Sequence, residues 1–194
     1  MVQTILRGRE CAVDIQLYAL EMERPLGADG RERLREKREL SRCAYAVLRY
    51  AVRELFSWED LPETARGEHG KPYFPAHPEV HFSLSHSGGA VLLAVHNEPI
   101  GADIERLRPL RTARLKAALG AATEEDFWRR WTAYESRCKR RGVSAAAQRN
   151  LCLPEINGER VLPLQVLPGY AACVCTASDC GAVKLNSLTA DLIK

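Results

Sequence analysis

The 194 residues contain no long apolar run. The longest, Ala90 to Val95, falls far short of the roughly twenty residues a membrane-spanning helix needs. No cationic, apolar leader opens the chain, so neither membrane association nor export is expected, and the protein is expected in the cytoplasm. The seven cysteines are odd in number, and Cys173-x-Cys175 with Cys180 lacks the paired C-x-x-C knuckles of a structural zinc site. Free thiols in a reducing compartment are the expectation. Aromatic residues are 7% of the chain and are not interleaved with the basic ones, which removes the signature of a base-stacking nucleic-acid module. There is no internal sequence repeat, and a monomer is expected.

What is present in quantity is arginine, in three clusters at Arg31–Arg42, Arg106–Arg114 and Arg129–Arg141, on a net charge of +3. Solvated helix faces account for part of this charge. The remainder suits a polyphosphate ligand or an acidic protein partner, and on its own would also suit non-specific nucleic-acid binding.

The densest information lies between Gly70 and Glu105, GKPYFPAHPEVHFSLSHSGGAVLLAVHNEPIGADIE. A Gly-Lys-Pro turn leads to a strand ending in Ser85-His86-Ser87, then to an apolar strand Ala90–Val95, the turn Asn97-Glu98-Pro99 and a last strand with Asp103 and Glu105. Residues i and i+2 of a strand share a face, so the two carboxylates point the same way, about 7 Å apart. Ile100, Ala102 and Ile104 take the opposite face. Two acids on a half-apolar strand are costly to bury without a cation. Hard oxygen donors, with no Cys or His at ligand spacing, point to Mg²⁺. A third carboxylate is offered by Glu135. It sits beside the stripe Phe127, Trp131, Tyr134 and Cys138 of an amphipathic helix, and shares a face with Lys139 four residues on. Thr123 followed by Glu124, Glu125 and Asp126 starts that helix, with a hydroxyl cap and acids at its positive end.

In order, the pattern predicts a first strand over Asp14–Leu20 and a long helix over Arg31–Phe56. The core stripe of that helix is Leu34, Leu40, Ala44, Val47, Leu48, Ala51 and Leu55. A polar connector at Ser57–His69, a short helix within Arg106–Ala122, a loop at Ser144–Asn157 and a hairpin over Gly158–Thr176 around Pro168-Gly169 follow. The tail beyond Ala177 carries no clear pattern. A helix followed by antiparallel strands, twice over, argues for an α+β fold.

GKP, F-S-L-S-H-S, I-G-A-D-I-E and W-T-A-Y-E-S-R-C-K, in this order and spacing, resemble the signature blocks of the 4′-phosphopantetheinyl transferases of the surfactin-synthetase type. The resemblance covers roughly Met22 to Lys139. It implies two similar α/β halves related by a pseudo-twofold axis, here 1–98 and 99–194, with the active site in the cleft between them. It implies transfer of the phosphopantetheine arm of coenzyme A to a serine of an apo acyl or peptidyl carrier protein. Mg²⁺ would be held by Asp103, Glu105 and Glu135, with Glu135, Lys139 and Asp103 in catalysis. Lys71, Ser85, His86 and Lys139 would contact coenzyme A, His86 and Lys71 at its 3′-phosphate. Lys37, Arg38 or Arg42 would reach a phosphate from the first helix. Two departures stand out: Tyr134-Glu135 where the family usually has Lys-Glu, and a shortened 106–122 segment. A coenzyme A-binding protein without transfer is the other reading these departures motivate.

Overall fold

The computed structural model describes residues 14–22, 30–110, 113–145, 151, 153, 156–177 and 180–193, the side chains of 30–34 excepted. Strand β1 (Ile15–Glu21) leads to helix α1 (Gly30–Phe56), and the connector forms a small ladder of β2 (Ala65–Arg66) with β3 (Pro72–Tyr73). Strands β4 (His81–Ser87), β5 (Ala90–His96) and β6 (Gly101–Arg106) follow, then α2 (Ala113–Ala118) and α3 (Glu124–Arg141). The chain ends with β7 (Glu159–Leu164), β8 (Tyr170–Ala177), β9 (Val183–Leu188) and a 3₁₀ turn at Ala190–Ile193.

The larger strands make two sheets, ordered β4-β5-β1-β9 and β6-β8-β7. Each contains the same unit. A strand is followed by a helix and two more strands, and the last strand sits between the other two, antiparallel to both. This is the α+β organisation that the pattern predicts. The loop expected at Ser144–Asn157 lies mostly outside the described residues, as does the side chain of Leu34.

Period-2 alternation explains the layering. Ile15, Leu17 and Ala19 of β1, Ala90, Leu92 and Ala94 of β5, Ile100, Ala102 and Ile104 of β6, and Ala172 and Val174 of β8 form one buried cluster between the sheets. Its many alanines leave room for the sheets to approach. On the outer side of the first sheet, Tyr18, Leu20, Val91, Leu93 and Val95 meet Ala44, Val47, Leu48, Ala51 and Val52 of α1. Helix α3 backs the second sheet. Thr123 caps it by accepting the Asp126 amide, and Gly142, at φ 66°, ends it in a left-handed turn that glycine adopts without strain.

The tail holds an element its sequence does not announce. Strand β9 returns to pair in parallel with β1, from Ile15–Val183 to Leu20–Leu188. The second stretch of chain thus completes the first sheet. The last turn of α3 is pinned to β7 by Glu159, whose carboxylate accepts from Arg137 (3.0 Å), Arg140 (3.2 Å) and Arg141 (2.7 Å). Its side chain is 4% exposed. Burial alone would raise its carboxyl, but hydrogen bonds from Arg141 and Arg137 outweigh that and hold it at about 2.

A depressed carboxyl stabilises the fold above its unfolded value, near 4.5, and loses that contribution as pH falls toward about 2. A displacement of that size corresponds to roughly 3 kcal/mol. Glu159→Gln is therefore expected to lower unfolding free energy by about 2–4 kcal/mol at neutral pH, with the gap to wild type closing between pH 4.5 and 2. Denaturant titrations over a pH series measure this. A gap constant down to pH 2 would refute it.

Candidate functional site

The site lies where β4 meets β6. These strands belong to different sheets, yet they are stitched together by side chains. On β4, Phe82 and Leu84 turn toward the α1 side, and Ser83, Ser85 and Ser87 take the other face. Each serine hydroxyl accepts one β6 amide. Ser83 accepts from Ala102 (2.9 Å), Ser85 from Ile104 (3.3 Å) and Ser87 from Arg106 (3.3 Å). The hydroxyls of Ser85 and Ser87 then donate onward, to Asp103 Oδ1 (2.7 Å) and Glu105 Oε2 (2.6 Å).

Asp103 is 3% exposed. Its Oδ1 also accepts from Lys139 Nζ at 2.7 Å. Its Oδ2, equally buried, meets no hydrogen-bond donor among the described residues. An unsatisfied oxygen on a buried carboxylate costs on the order of 1–3 kcal/mol or more.

Lys139 reaches Asp103 because α3 lies almost on the backbone of β6. A Cβ on Gly101 would overlap the Ser136 carbonyl oxygen and the Arg140 amide. Glycine at that position permits the approach. Glu135, one turn before Lys139, faces the same group of charges. Burial raises its carboxyl above the ordinary range, Asp103 adds to the rise and Lys139 offsets it in part. Glu105 is raised too, by burial first and then Asp103, against the Ser87 hydrogen bond, Arg108 and Lys139.

Lys139 is the cation in contact with these acids, and further basic groups lie near it. Lys71, on the loop after β2, donates to the Ile100 carbonyl at 2.8 Å, and burial, then Arg140 and Lys139, push its ammonium down to about 8. His86 is held below the usual imidazole range by burial and then by Lys139 and Lys37. The structure therefore puts Asp103 in direct contact with Ser85 and Lys139 and Glu105 with Ser87, while Glu135 and His86 are close enough to feel Asp103 and Lys139, with Lys71 at the Arg140–Lys139 edge. Arg42 is exposed and forms no ion pair or hydrogen bond among the described residues. Gly101, Ser87, Arg108 and Arg140 were not singled out from sequence. The alternation of FSLSHS and the glycine in I-G-A-D-I-E were the signals available.

Among the described residues no three His, Cys, Asp or Glu side chains are already drawn together as a metal cage. Lys139 meets the charge of Asp103 in their stead. The donor set, three carboxylates with one buried oxygen unpartnered, nevertheless suits a hard cation. Tyr134 points elsewhere: 6% exposed, it donates to the Ala145 carbonyl at 3.2 Å and packs with Cys138 and Leu153. A hollow of about 570 Å³ opens beside the β7–β8 turn, lined by Leu107, Arg129, Val166, Pro168 and Tyr170 among others, and holds none of these site residues.

Acids that raise one another's carboxyls, with Lys139 between them, thus stand at the junction of the two sheets of an α+β protein. Known proteins resemble this chain. The chain is 34% identical over 113 residues to a 4′-phosphopantetheinyl transferase of Bacillus subtilis, covering 49% of this chain and 50% of that protein. It is 26% identical over 208 residues to the 4′-phosphopantetheinyl transferase Sfp of Bacillus subtilis strain 168, covering 84% and 92%. It is 40% identical over 100 residues to the 4′-phosphopantetheinyl transferase AcpT of Salmonella typhi, covering 44% and 52%. With the first and third of these the match spans about half of the relative's length. No family model matches. The resemblance to 4′-phosphopantetheinyl transferases, Sfp-type proteins among them, therefore holds.

Gly101→Ala is expected to push α3 off β6 and to cost at least about 3 kcal/mol, beyond ordinary overpacking, since the obstruction is backbone. Thermal or denaturant unfolding reads this directly. An unchanged melting temperature would show that helix and strand do not pack this closely.

Proposed function

We propose that this chain transfers the 4′-phosphopantetheine arm of coenzyme A to a serine of an acyl or peptidyl carrier protein, releasing 3′,5′-ADP. One observation carries the reading: the buried, unpartnered Oδ2 of Asp103 among Glu105, Glu135 and Lys139. The sequence relatives support the reaction class. The two strand–helix–strand–strand units would be related by a pseudo-twofold axis, with the cleft at their junction. The protein would act as a monomer in the cytoplasm, with neither nucleic acid nor membrane as partner.

Asp103, Glu105 and Glu135 would hold Mg²⁺. Bound there, the ion supplies charge withdrawal from the pyrophosphate of coenzyme A. The carrier serine oxygen attacks the β-phosphorus, and the bond from that phosphorus to the bridging oxygen of 3′,5′-ADP breaks. Glu135 takes the serine proton. Lys139 offsets the charge that grows on the departing 3′,5′-ADP. His86 and Lys71 would meet the 3′-phosphate. Ser85 and Arg42 are the further coenzyme A candidates that the sequence offers. Arg42 stays a candidate from the exposed side of α1, and an acidic carrier would dock on the arginine-rich surface beside the cleft.

A second reading, a coenzyme A-binding homologue with weak or lost transfer, is favoured by Tyr134. Where the family usually has lysine, this side chain is a core anchor and adds no charge. Incubation with coenzyme A, Mg²⁺ and a panel of apo carriers separates the two. Transfer adds the mass of phosphopantetheine to a carrier, and Asp103→Ala is expected to abolish it. Wild-type-like turnover in that variant would overturn the site. Coenzyme A binding with no carrier modified across the panel would leave the second reading.

His86→Ala is expected to weaken coenzyme A about tenfold to a hundredfold, as for a lost hydrogen bond to a charged group, while 3′-dephospho-coenzyme A is little affected. Isothermal titration of both ligands checks this. Equal losses would make His86 structural.

A further inference from the structure

A serine hydroxyl has one hydrogen and two lone pairs. Along β4 every second residue from Ser83 to Ser87 is a serine that uses a lone pair on a β6 amide, so its hydrogen is aimed away from that amide. What stands opposite then differs from tooth to tooth. At Ser85 it is Asp103 Oδ1, and at Ser87 it is Glu105 Oε2. At Ser83 the matching β6 position is Gly101, with no side chain, and the hydroxyl turns back to the Ala102 carbonyl at 3.5 Å. The same comb therefore joins the two sheets at three points and grips a carboxylate at two of them.

We propose that Ser85 and Ser87 are positioning residues that clamp Asp103 and Glu105 by one oxygen each, fixing their rotamers so that the remaining oxygens are presented together to a divalent cation. Asp103 shows the result, with Oδ1 held by Ser85 and Lys139 and Oδ2 left unpartnered. A hydroxyl hydrogen committed to a carboxylate is not available to a phosphate, so Ser85 acts through Asp103 and not as a side-chain donor to coenzyme A. The inference rests on the functional reading above, because it presumes that Asp103 and Glu105 receive a cation.

Mn²⁺ is the probe, its free aquo ion followed by electron paramagnetic resonance during titration in the presence of coenzyme A. Ser85→Ala and Ser87→Ala are each expected to weaken Mn²⁺ about tenfold to a hundredfold, as loss of a partner that orients a metal ligand does. Turnover number falls with it while KM for coenzyme A stays, and Ser87→Thr, which keeps the hydroxyl at a half-buried position, restores both. Ser83→Ala removes the tooth that grips no carboxylate. It is expected to lower the melting temperature yet leave Mn²⁺ affinity at the wild-type value. Unchanged Mn²⁺ affinity in Ser85→Ala and Ser87→Ala, or an equal loss in Ser83→Ala, overturns the proposal. So does a loss of affinity for coenzyme A selective over 3′-dephospho-coenzyme A in Ser85→Ala. A wild type that binds Mn²⁺ and modifies carriers while the serine variants behave like it sinks the positioning role alone. A wild type that binds no Mn²⁺ sinks this and the functional reading together.

Discussion

An ionised carboxylate taken out of water needs charge and donors on both oxygens, and Asp103 has them on one. Much of the surrounding architecture serves to make that burial tolerable. Gly101 lets α3 descend on β6 far enough for the Lys139 ammonium to reach Oδ1 at 2.7 Å. The alternation that turns Phe82 and Leu84 toward α1 turns Ser85 toward β6. Take away the close helix approach and Asp103 loses its cation. Take away the serine face and it loses its hydroxyl donor.

The same alternation solves a second problem, how two sheets become one body without a shared backbone ladder. Between the sheets, small residues such as Ala19, Ala90, Ala94, Ala102 and Ala172 alternate with Ile and Leu, so the layers sit close. At the β4–β6 junction the amides of Ala102, Ile104 and Arg106 are satisfied by serine hydroxyls, since no neighbouring strand of their own sheet pairs on that side. Strand β9 closes the arrangement by returning the end of the chain to β1. The acids thus stand on a strand fixed by α3 on one face and by the hydrophobic layer on the other.

Much of this was legible in the residues, and the failures have physical causes. Strand β5, buried on both faces, announces itself as a continuous apolar run and α3 through its 3.6 period, and Thr123 and Gly142 mark the ends of α3. Strand β9 does not, because an edge strand with Lys184, Leu185 and Ser187 exposed has no clean alternation. The identity of the acids and Lys139 was legible because their spacing fixes a common face. Their partners were not. Whether a serine hydroxyl serves a backbone amide, a carboxylate or a ligand depends on which strand lies across from it, and β6 lies across from β4 only in three dimensions. Likewise the stripe containing Tyr134 predicts burial, but only packing against Ala145 and Leu153 shows that its hydroxyl is spent away from the acids.

The distribution of charge at the site bears on the ligand proposed for it. Glu105 and Glu135 are both raised, by burial first, with Asp103 adding to the rise of each. On the other side Lys71 is lowered by burial, Arg140 and Lys139, and His86 by burial, Lys139 and Lys37. A simple cation would relieve only the first strain and a simple anion only the second. The proposed ligand, a divalent cation together with a pyrophosphate, would relieve both at once. Lys139 belongs to both groups of charges, for it offsets the rise of Glu105 and Glu135 and adds to the fall of Lys71 and His86.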